Sequence, residues 1–196
     1  NLIRYSFLLL IFSVALNSAF AEDFARWVDP FIGTIGEGNC FPGACRPFGL
    51  VQPSPDTGER VTCSGYKYTN KVIRGFSQTH LNGTGRPAMG DISFLPFSDV
   101  SKKALPPPST FDKSTEKAEV GYYAVTLEGG ILCEATATER VAVWKFTWQE
   151  GASRRLFLDA AAMLMQPWNL KLGSAIPEAS HSIGVDGKSI RGYKQS

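Results

Sequence analysis

The chain has 196 residues, of which 43% are hydrophobic and 19% charged, with a net charge of +2. So even a balance makes no electrostatic case for nucleic acid, which needs a concentrated basic surface, and Lys102-Lys103 is only a short basic pair in an exposed connection. The length suffices for one domain with its own core, on the usual scale of about 100 to 200 residues.

In chain order, Arg4 precedes the apolar run Phe7 to Leu16, and small residues follow up to Ala19-Phe20-Ala21. That is the layout of a secretory signal peptide. Asn17 and Ser18 interrupt the run after about ten residues, short of the roughly 20 that a membrane anchor needs. Residues 1–21 are therefore read as a leader and 22–196 as the exported domain. The sequence begins at Asn1, so loss of the initiator is expected.

Residues 27–55 are dense in Gly and Pro, which excludes a long helix. Phe48-Gly49-Leu50-Val51-Gln52 is apolar enough for a short buried strand, and Gly65-Tyr66-Lys67-Tyr68-Thr69 alternates as a half-buried strand does. Strands are also predicted over 72–77 and 91–97, with an exposed connection over 102–114 around Pro106-Pro107-Pro108. The clearest signal is a hairpin: 121–127 alternates, Gly129-Gly130 turns, and 131–138 returns. Residues 140–148 form a further strand, with Val141, Val143, Lys145 and Thr147 on one face and Ala142, Trp144, Phe146 and Trp148 on the other. Another strand is predicted over 154–160 and a short helix over 161–168, limited by Pro167. Residues 184–193 read as a strand, an Asp-Gly turn and the start of a last strand without its partner, so a cut inside a sheet is expected. Short strands with turn signals and almost no helical periodicity predict an antiparallel β-sandwich, an all-β fold.

Cys40, Cys45, Cys63 and Cys133 allow three disulfide pairings in an oxidising compartment, and also free buried thiols. Without a CxxC, and with only His80 and His181, zinc ligation is the weaker reading. Residues 33–38 are glycine-rich but lack the phosphate-loop pattern, so they read as a tight loop whose backbone approaches something closely, which could simply be another strand. The loop from Gly75 to Gly85 packs many hydrogen-bonding side chains beside glycines, which suits sugar hydroxyls or an ordinary polar turn with His80 satisfied by backbone. Asn82-Gly83-Thr84 also fits a glycosylation sequon. Ser64 has neither a nucleophile elbow nor an assignable base. Asp29, Asp56, Asp91, Glu134, Glu139 and Asp159 could supply the two carboxylates, about 5 to 9.5 Å apart, that glycoside hydrolysis uses, although Glu134 reads as a solvent-facing strand residue.

Read together, Trp27-Val28-Asp29-Pro30-Phe31-Ile32-Gly33-Thr34, Phe41-Pro42-Gly43-Ala44, Pro47-Phe48-Gly49-Leu50-Val51-Gln52 and Ser54-Pro55-Asp56-Thr57 resemble the opening of glycoside hydrolase family 92. So do Cys63-Ser64-Gly65-Tyr66, Gly75-Phe76-Ser77, Thr79-His80-Leu81, Gly83-Thr84-Gly85, Gly90-Asp91-Ile92, Gly121-Tyr122-Tyr123 and Thr136-Ala137-Thr138-Glu139-Arg140. The blocks keep the family's order from Trp27 to about Asp159.

That resemblance implies an exported, calcium-dependent exo-α-mannosidase, of α-1,2 type, acting with inversion on N-glycans or mannan. It further implies an N-terminal β-sandwich packed on a C-terminal (α/α)6 barrel that carries the acid, the base and most calcium ligands and lies outside this chain. No catalytic residue and no metal ligand is therefore assigned here, and the chain alone is expected to be inactive. Sandwich loops close over the active site in the family, so the resemblance implies substrate contacts at Cys63, Ser64, Gly65, Tyr66, Thr79, His80, Gly83, Thr84 and Asp91. The sequence departs from the family at Glu37, Asn39, Gln78 and Trp144, where histidines are usual, and at Val61-Thr62, where a Trp-containing stretch often stands. A rival reading is a self-sufficient, non-catalytic carbohydrate-binding β-sandwich module; a third is a sandwich that only buttresses the barrel.

Overall fold

The computed structural model describes residues 23–58, 62–98, 108–160, 162–164, 180–185 and 190–195. Its strands are β1 (Ser54–Thr57), β2 (Val72–Ser77), β3 (Ser93–Phe97), β4 (Ser109–Thr110), β5 (Lys117–Glu119), β6 (Tyr122–Leu127), β7 (Ile131–Ala137), β8 (Ala142–Thr147), β9 (Arg155–Asp159), β10 (Ser180–Val185) and β11 (Ile190–Gln195). Among the described residues the only helical elements are two short 3-10 turns, Phe24–Trp27 and Lys113–Thr115. None is long and apolar enough to cross a membrane. The expected leader and the expected Asp-Gly turn lie outside the described residues, as does all of the predicted helix except 162–164.

One sheet has the order β1-β2-β3-β9, with β4 also on β2; the second runs β5-β6-β7-β8; every pairing is antiparallel. The second sheet follows directly from sequence. Gly129 and Gly130 both take positive φ in the turn, which a Cβ would oppose. The register then sets Val125 opposite Cys133 and Leu127 opposite Ile131, so the alternating apolar residues fall on one face. On β8 the predicted faces form: Ala142, Trp144 and Phe146 turn inward, while Val143, Lys145 and Thr147 are exposed.

The core lies between the two sheets. Ile73, Phe76 and Leu95 meet Tyr123, Val125, Leu127, Ile131, Cys133 and Ala135, and Trp144, Phe146, Trp148 and Phe157 close the margin. Phe76 is fully buried, with its ring 5.0 Å from that of Trp144 and 6.3 Å from that of Phe146. Burial of each such side chain contributes about 1.5 to 3 kcal/mol. The indole N–H groups tie the layers as well: Trp148 Nε1 donates to the Phe97 carbonyl at 3.2 Å, and Trp144 Nε1 to Gln78 Oε1 at 2.8 Å.

Two predicted strands do not form. Residues 48–52 make a turn and an irregular connection with Phe48 and Leu50 exposed, because Phe48 has φ +60°, outside the β region. Residues 65–69 are irregular too: Gly65 has φ +80°, and Tyr66 turns into the interior while Tyr68 faces out. The strand in this part of the chain is instead β1, which holds Pro55 at the sheet edge, where a residue without an N–H is tolerated. At the other end, β11 is paired with β10 through six residues, from Val185↔Ile190 to Ser180↔Gln195. The last strand therefore has its partner. All four cysteines are free, and Cys133 is buried in the core.

Truncating Phe76→Ala removes the ring from the centre of this core and should lower stability by about 3 to 5 kcal/mol in urea unfolding. Val143→Ala, on the exposed face of β8, should change it by no more than about 0.5 kcal/mol.

Candidate functional site

β1 and β2 run antiparallel, with Ser54 opposite Ser77 and Asp56 opposite Gly75, and the chain after β2 turns back so that His80 lies against both strands. The imidazole is 1% exposed. Its Nδ1 donates to the Gln52 carbonyl at 2.7 Å, and its Nε2 lies 3.1 Å from both Asp56 Oδ1 and Ser77 Oγ. Phe41 covers the ring at 5.1 Å between centroids. Gly65 lies against the pair: a Cβ there would sit 2.9 Å from His80 Nε2 and run into Asp56 Oδ1. His80 thus bonds Gln52, Asp56 and Ser77 and lies against Gly65.

A second buried network anchors the same loop to the other sheet. Tyr66 OH donates to Glu116, with both carboxylate oxygens at 2.9 Å; Tyr123 OH donates to Glu116 Oε1 at 2.6 Å, and Lys113 Nζ to Oε2 at 2.7 Å. The Glu116 side chain is only 1% exposed. Burial, reinforced by the Glu116 charge, pushes both phenols well above the ordinary tyrosine range and keeps them as donors. Ser64 Oγ donates to the Cys40 and Tyr66 carbonyls at 3.2 and 3.1 Å. Backbone bonds from Thr57 N to the Gly65 carbonyl, at 2.7 Å, and from Tyr68 N to the Thr34 carbonyl, at 3.0 Å, complete the loop.

Thr79 and Asp91 form a third lock. Thr79 Oγ1 donates to Asp91 Oδ2 and accepts from the Asp91 N–H, both at 3.0 Å. Gly90 N donates to the Thr79 carbonyl at 2.8 Å and Gln78 N to the Asp91 carbonyl at 3.0 Å. Met89 and Ile92, on either side of Gly90-Asp91, take φ of +65° and +53°, a conformation that such residues hold only where surrounding bonds impose it.

Of the nine residues singled out by the sequence, Ser64, Gly65, Tyr66 and His80 are buried; Cys63, Thr79, Thr84 and Asp91 are half-buried; Gly83 is exposed. Gly83 and Thr84 stand out on the connecting loop, which Gly83 N ties to the Asn39 carbonyl at 2.8 Å and Thr84 Oγ1 to the Arg86 carbonyl at 2.8 Å. The Gly33 to Gly38 loop is a close backbone approach as predicted, with Cys40 N bonded to the Gly33 carbonyl at 3.1 Å.

Sequence reasoning missed how Gln78 and Trp144 are related. They lie 66 residues apart, yet the indole N–H donates to the Gln78 carbonyl oxygen, while Gln78 Nε2 donates to the Phe76 and Ile92 carbonyls at 3.1 Å each. Gln78 and Trp144 therefore meet as one donor–acceptor pair between the sheets. Glu116, Lys113 and Arg74 were also missed, since each matters only through contacts far along the chain. Arg74 joins Asp56, Ser93 and Asp159 around a cavity of about 290 Å³, and its buried Nε has no hydrogen-bond partner among the described residues.

Among the other carboxylates, Asp29 caps its own turn, Oδ1 accepting from Phe31 N at 2.9 Å. Glu134 lies on the outer side of β7 between Lys145 and Tyr122, each at 2.9 Å, and these hydrogen bonds, that from Lys145 foremost, hold its carboxyl below the usual range. Calcium takes roughly six to eight oxygen ligands. Among the described residues no three His, Cys, Asp or Glu side chains gather in a group able to hold a metal, and Asp56 and Asp91 are engaged by His80 and Thr79. These residues do not by themselves fit the calcium that the resemblance implies.

Residues 27–196 match the Glycosyl hydrolase family 92 N-terminal domain. The chain is 35% identical to the family GH92 α-mannosidase BT3965 from Bacteroides thetaiotaomicron, covering 88% of this chain and 24% of that one, with a TM-score of 0.75. The structure of that enzyme with mannoimidazole gives 0.76. The inverting family GH92 mannosidase BT2199 of the same bacterium is 27% identical, over 71% of this chain and 20% of its own, with a TM-score of 0.60. An uncharacterized secreted glycosidase of Arthroderma benhamiae is 33% identical over 135 residues, or 63% of this chain and 17% of that protein. Fold and family match together define an N-terminal β-sandwich domain of the glycosyl hydrolase class. The chain belongs to glycosyl hydrolase family 92, as its N-terminal domain, and spans a quarter or less of these relatives' length.

Gly65→Ala tests the packing around His80. The new methyl meets the His80–Asp56 pair in a backbone conformation that opposes it, so urea unfolding should show a loss of about 1 to 3 kcal/mol. An unchanged midpoint would mean that the pair is not held against Gly65.

Proposed function

We propose that this chain is the N-terminal sandwich of an exported, calcium-dependent exo-α-mannosidase of α-1,2 type, which removes terminal mannose from N-glycans or mannan with inversion. The observation that carries this reading is the loop cluster itself. Several of the motifs that resemble the family's are drawn together by His80, Glu116 and Thr79, in a chain 35% identical to an α-mannosidase. Similarity to a mannosidase seen with mannoimidazole supports the substrate class, and similarity to one described as inverting supports the stereochemistry.

In this reading the half-buried and exposed members, Cys63, Thr79, Gly83, Thr84 and Asp91, face the glycan. Ser64, Gly65, Tyr66 and His80 position them from beneath, through the hydrogen bonds described above. The acid, the base and most calcium ligands belong to an (α/α)6 barrel in the rest of the polypeptide, and the sandwich alone is inactive. Residues 1–21 direct export; the secreted glycosidase of Arthroderma benhamiae supports that compartment.

The test is to express the complete polypeptide and follow hydrolysis of α-1,2-, α-1,3- and α-1,6-linked mannobiose by NMR. The expected product is β-mannose at first appearance, formed fastest from the α-1,2 linkage. Activity should be lost on chelation and restored by calcium. Retention of the anomeric configuration, or turnover of none of the three, would overturn the proposal; preference for another linkage would overturn only its α-1,2 part.

A further inference from the structure

Arg46-Pro47-Phe48-Gly49 is a β-turn closed by Gly49 N donating to the Arg46 carbonyl at 2.9 Å, with Phe48 at φ +60°. Proline at the second position and positive φ at the third define a type II turn, whose third position favours glycine or asparagine. The sequence places phenylalanine there and glycine one residue later. The backbone is therefore strained, and the ring it carries is fully exposed. Strain and exposure both count against the phenylalanine in this chain.

The turn is also firmly braced. Gln52 Nε2 donates to the Gly49 carbonyl at 2.7 Å and Leu50 N to the Glu139 carbonyl at 2.7 Å, while the Gln52 carbonyl holds His80. The ring is thus held outward from a platform continuous with the loop cluster. Leu50 and Val141, beside the Leu50–Glu139 bond, are exposed too, and Arg46 and Glu139 approach each other at 4.0 Å on the surface. Apolar side chains bordered by charged ones are the anatomy of a surface that becomes buried.

We infer that Phe48 is a docking knob, inserted into an apolar socket formed by the same polypeptide beyond Ser196. The occupant is argued from length. This chain spans 24% of a relative that shares its fold at a TM-score of 0.75, so most of a polypeptide of that length lies beyond the surface described here. The inference rests on the two-domain reading given above. A packed ring offsets both penalties: the surrounding contacts impose the strained φ, and the apolar surface leaves water.

The experiment uses the complete polypeptide with Phe48→p-benzoylphenylalanine, irradiated and mapped by mass spectrometry, alongside thermal unfolding of Phe48→Gly and Phe48→Leu. The expected result is a crosslink within one chain to a peptide beyond residue 196. Phe48→Gly should lower the melting temperature by ~2 to 4 °C, with Phe48→Leu nearer the wild type. Crosslinks only between two copies, or none, would overturn the inference. So would a Phe48→Gly melting temperature equal to or above wild type, as expected if the variant merely relieves strain at a free ring. Mannosidase activity of the wild-type polypeptide, measured on the same preparation, separates failure of the docking inference from failure of the functional reading.

Discussion

The arrangement depends on one buried imidazole bonded at both nitrogens. His80 takes the Gln52 carbonyl on one side and Asp56 with Ser77 on the other, so a single side chain ties together the approach to β1, β1 itself and the end of β2. Burying a carboxylate and an imidazole is costly unless each finds its partner. Here each does, and Gly65 is the residue whose missing Cβ lets the pair fit. Sandwich and loop cluster are therefore one structure: the edge strand β1 carries Asp56, β2 ends at Ser77, and the ring between them orders the polar loop that follows.

Around that point the second sheet acts as a support. Its aromatic residues fill the core from β8, and it sends Tyr123 up to Glu116, where Tyr66 arrives from the first sheet's loop. The Gln78–Trp144 bond makes a further connection between the sheets. A loop tied to both sheets can hold a half-buried group such as Cys63 in a fixed place, while Asp91 is held by its own bonds to Thr79. Membership of glycosyl hydrolase family 92 gives this loop cluster its context.

The sequence is legible where one period decides the structure. The β6–β7 hairpin and the two faces of β8 follow from alternation and a Gly-Gly turn. Residues 48–52 and 65–69 mislead because apolar or alternating residues there answer to a local turn in the first case and to a distant partner in the second. Tyr66 turns inward to reach Glu116, 50 residues away, and Phe48 stands outward on a turn closed by its immediate neighbours. β1 is hidden because Ser54-Pro55-Asp56-Thr57 has the composition of a turn, and only its place at a sheet edge makes it a strand. Family-like blocks marked the loop cluster, but they gave no sign of which members are buried, since that depends on packing between residues far apart in sequence.

The central claim, that His80 organises the loops as a unit, is tested most directly by hydrogen exchange on the His80→Phe variant, which keeps a ring of similar size and removes its hydrogen bonds. The amides of Gln52, Thr57 and Gly90, bonded to Gln78, Gly65 and Thr79 respectively, should together lose protection by about tenfold or more, while Val125 and Cys133 in the β6–β7 hairpin keep theirs. Loss confined to residues next to position 80, or unchanged protection at all three amides, would contradict the account.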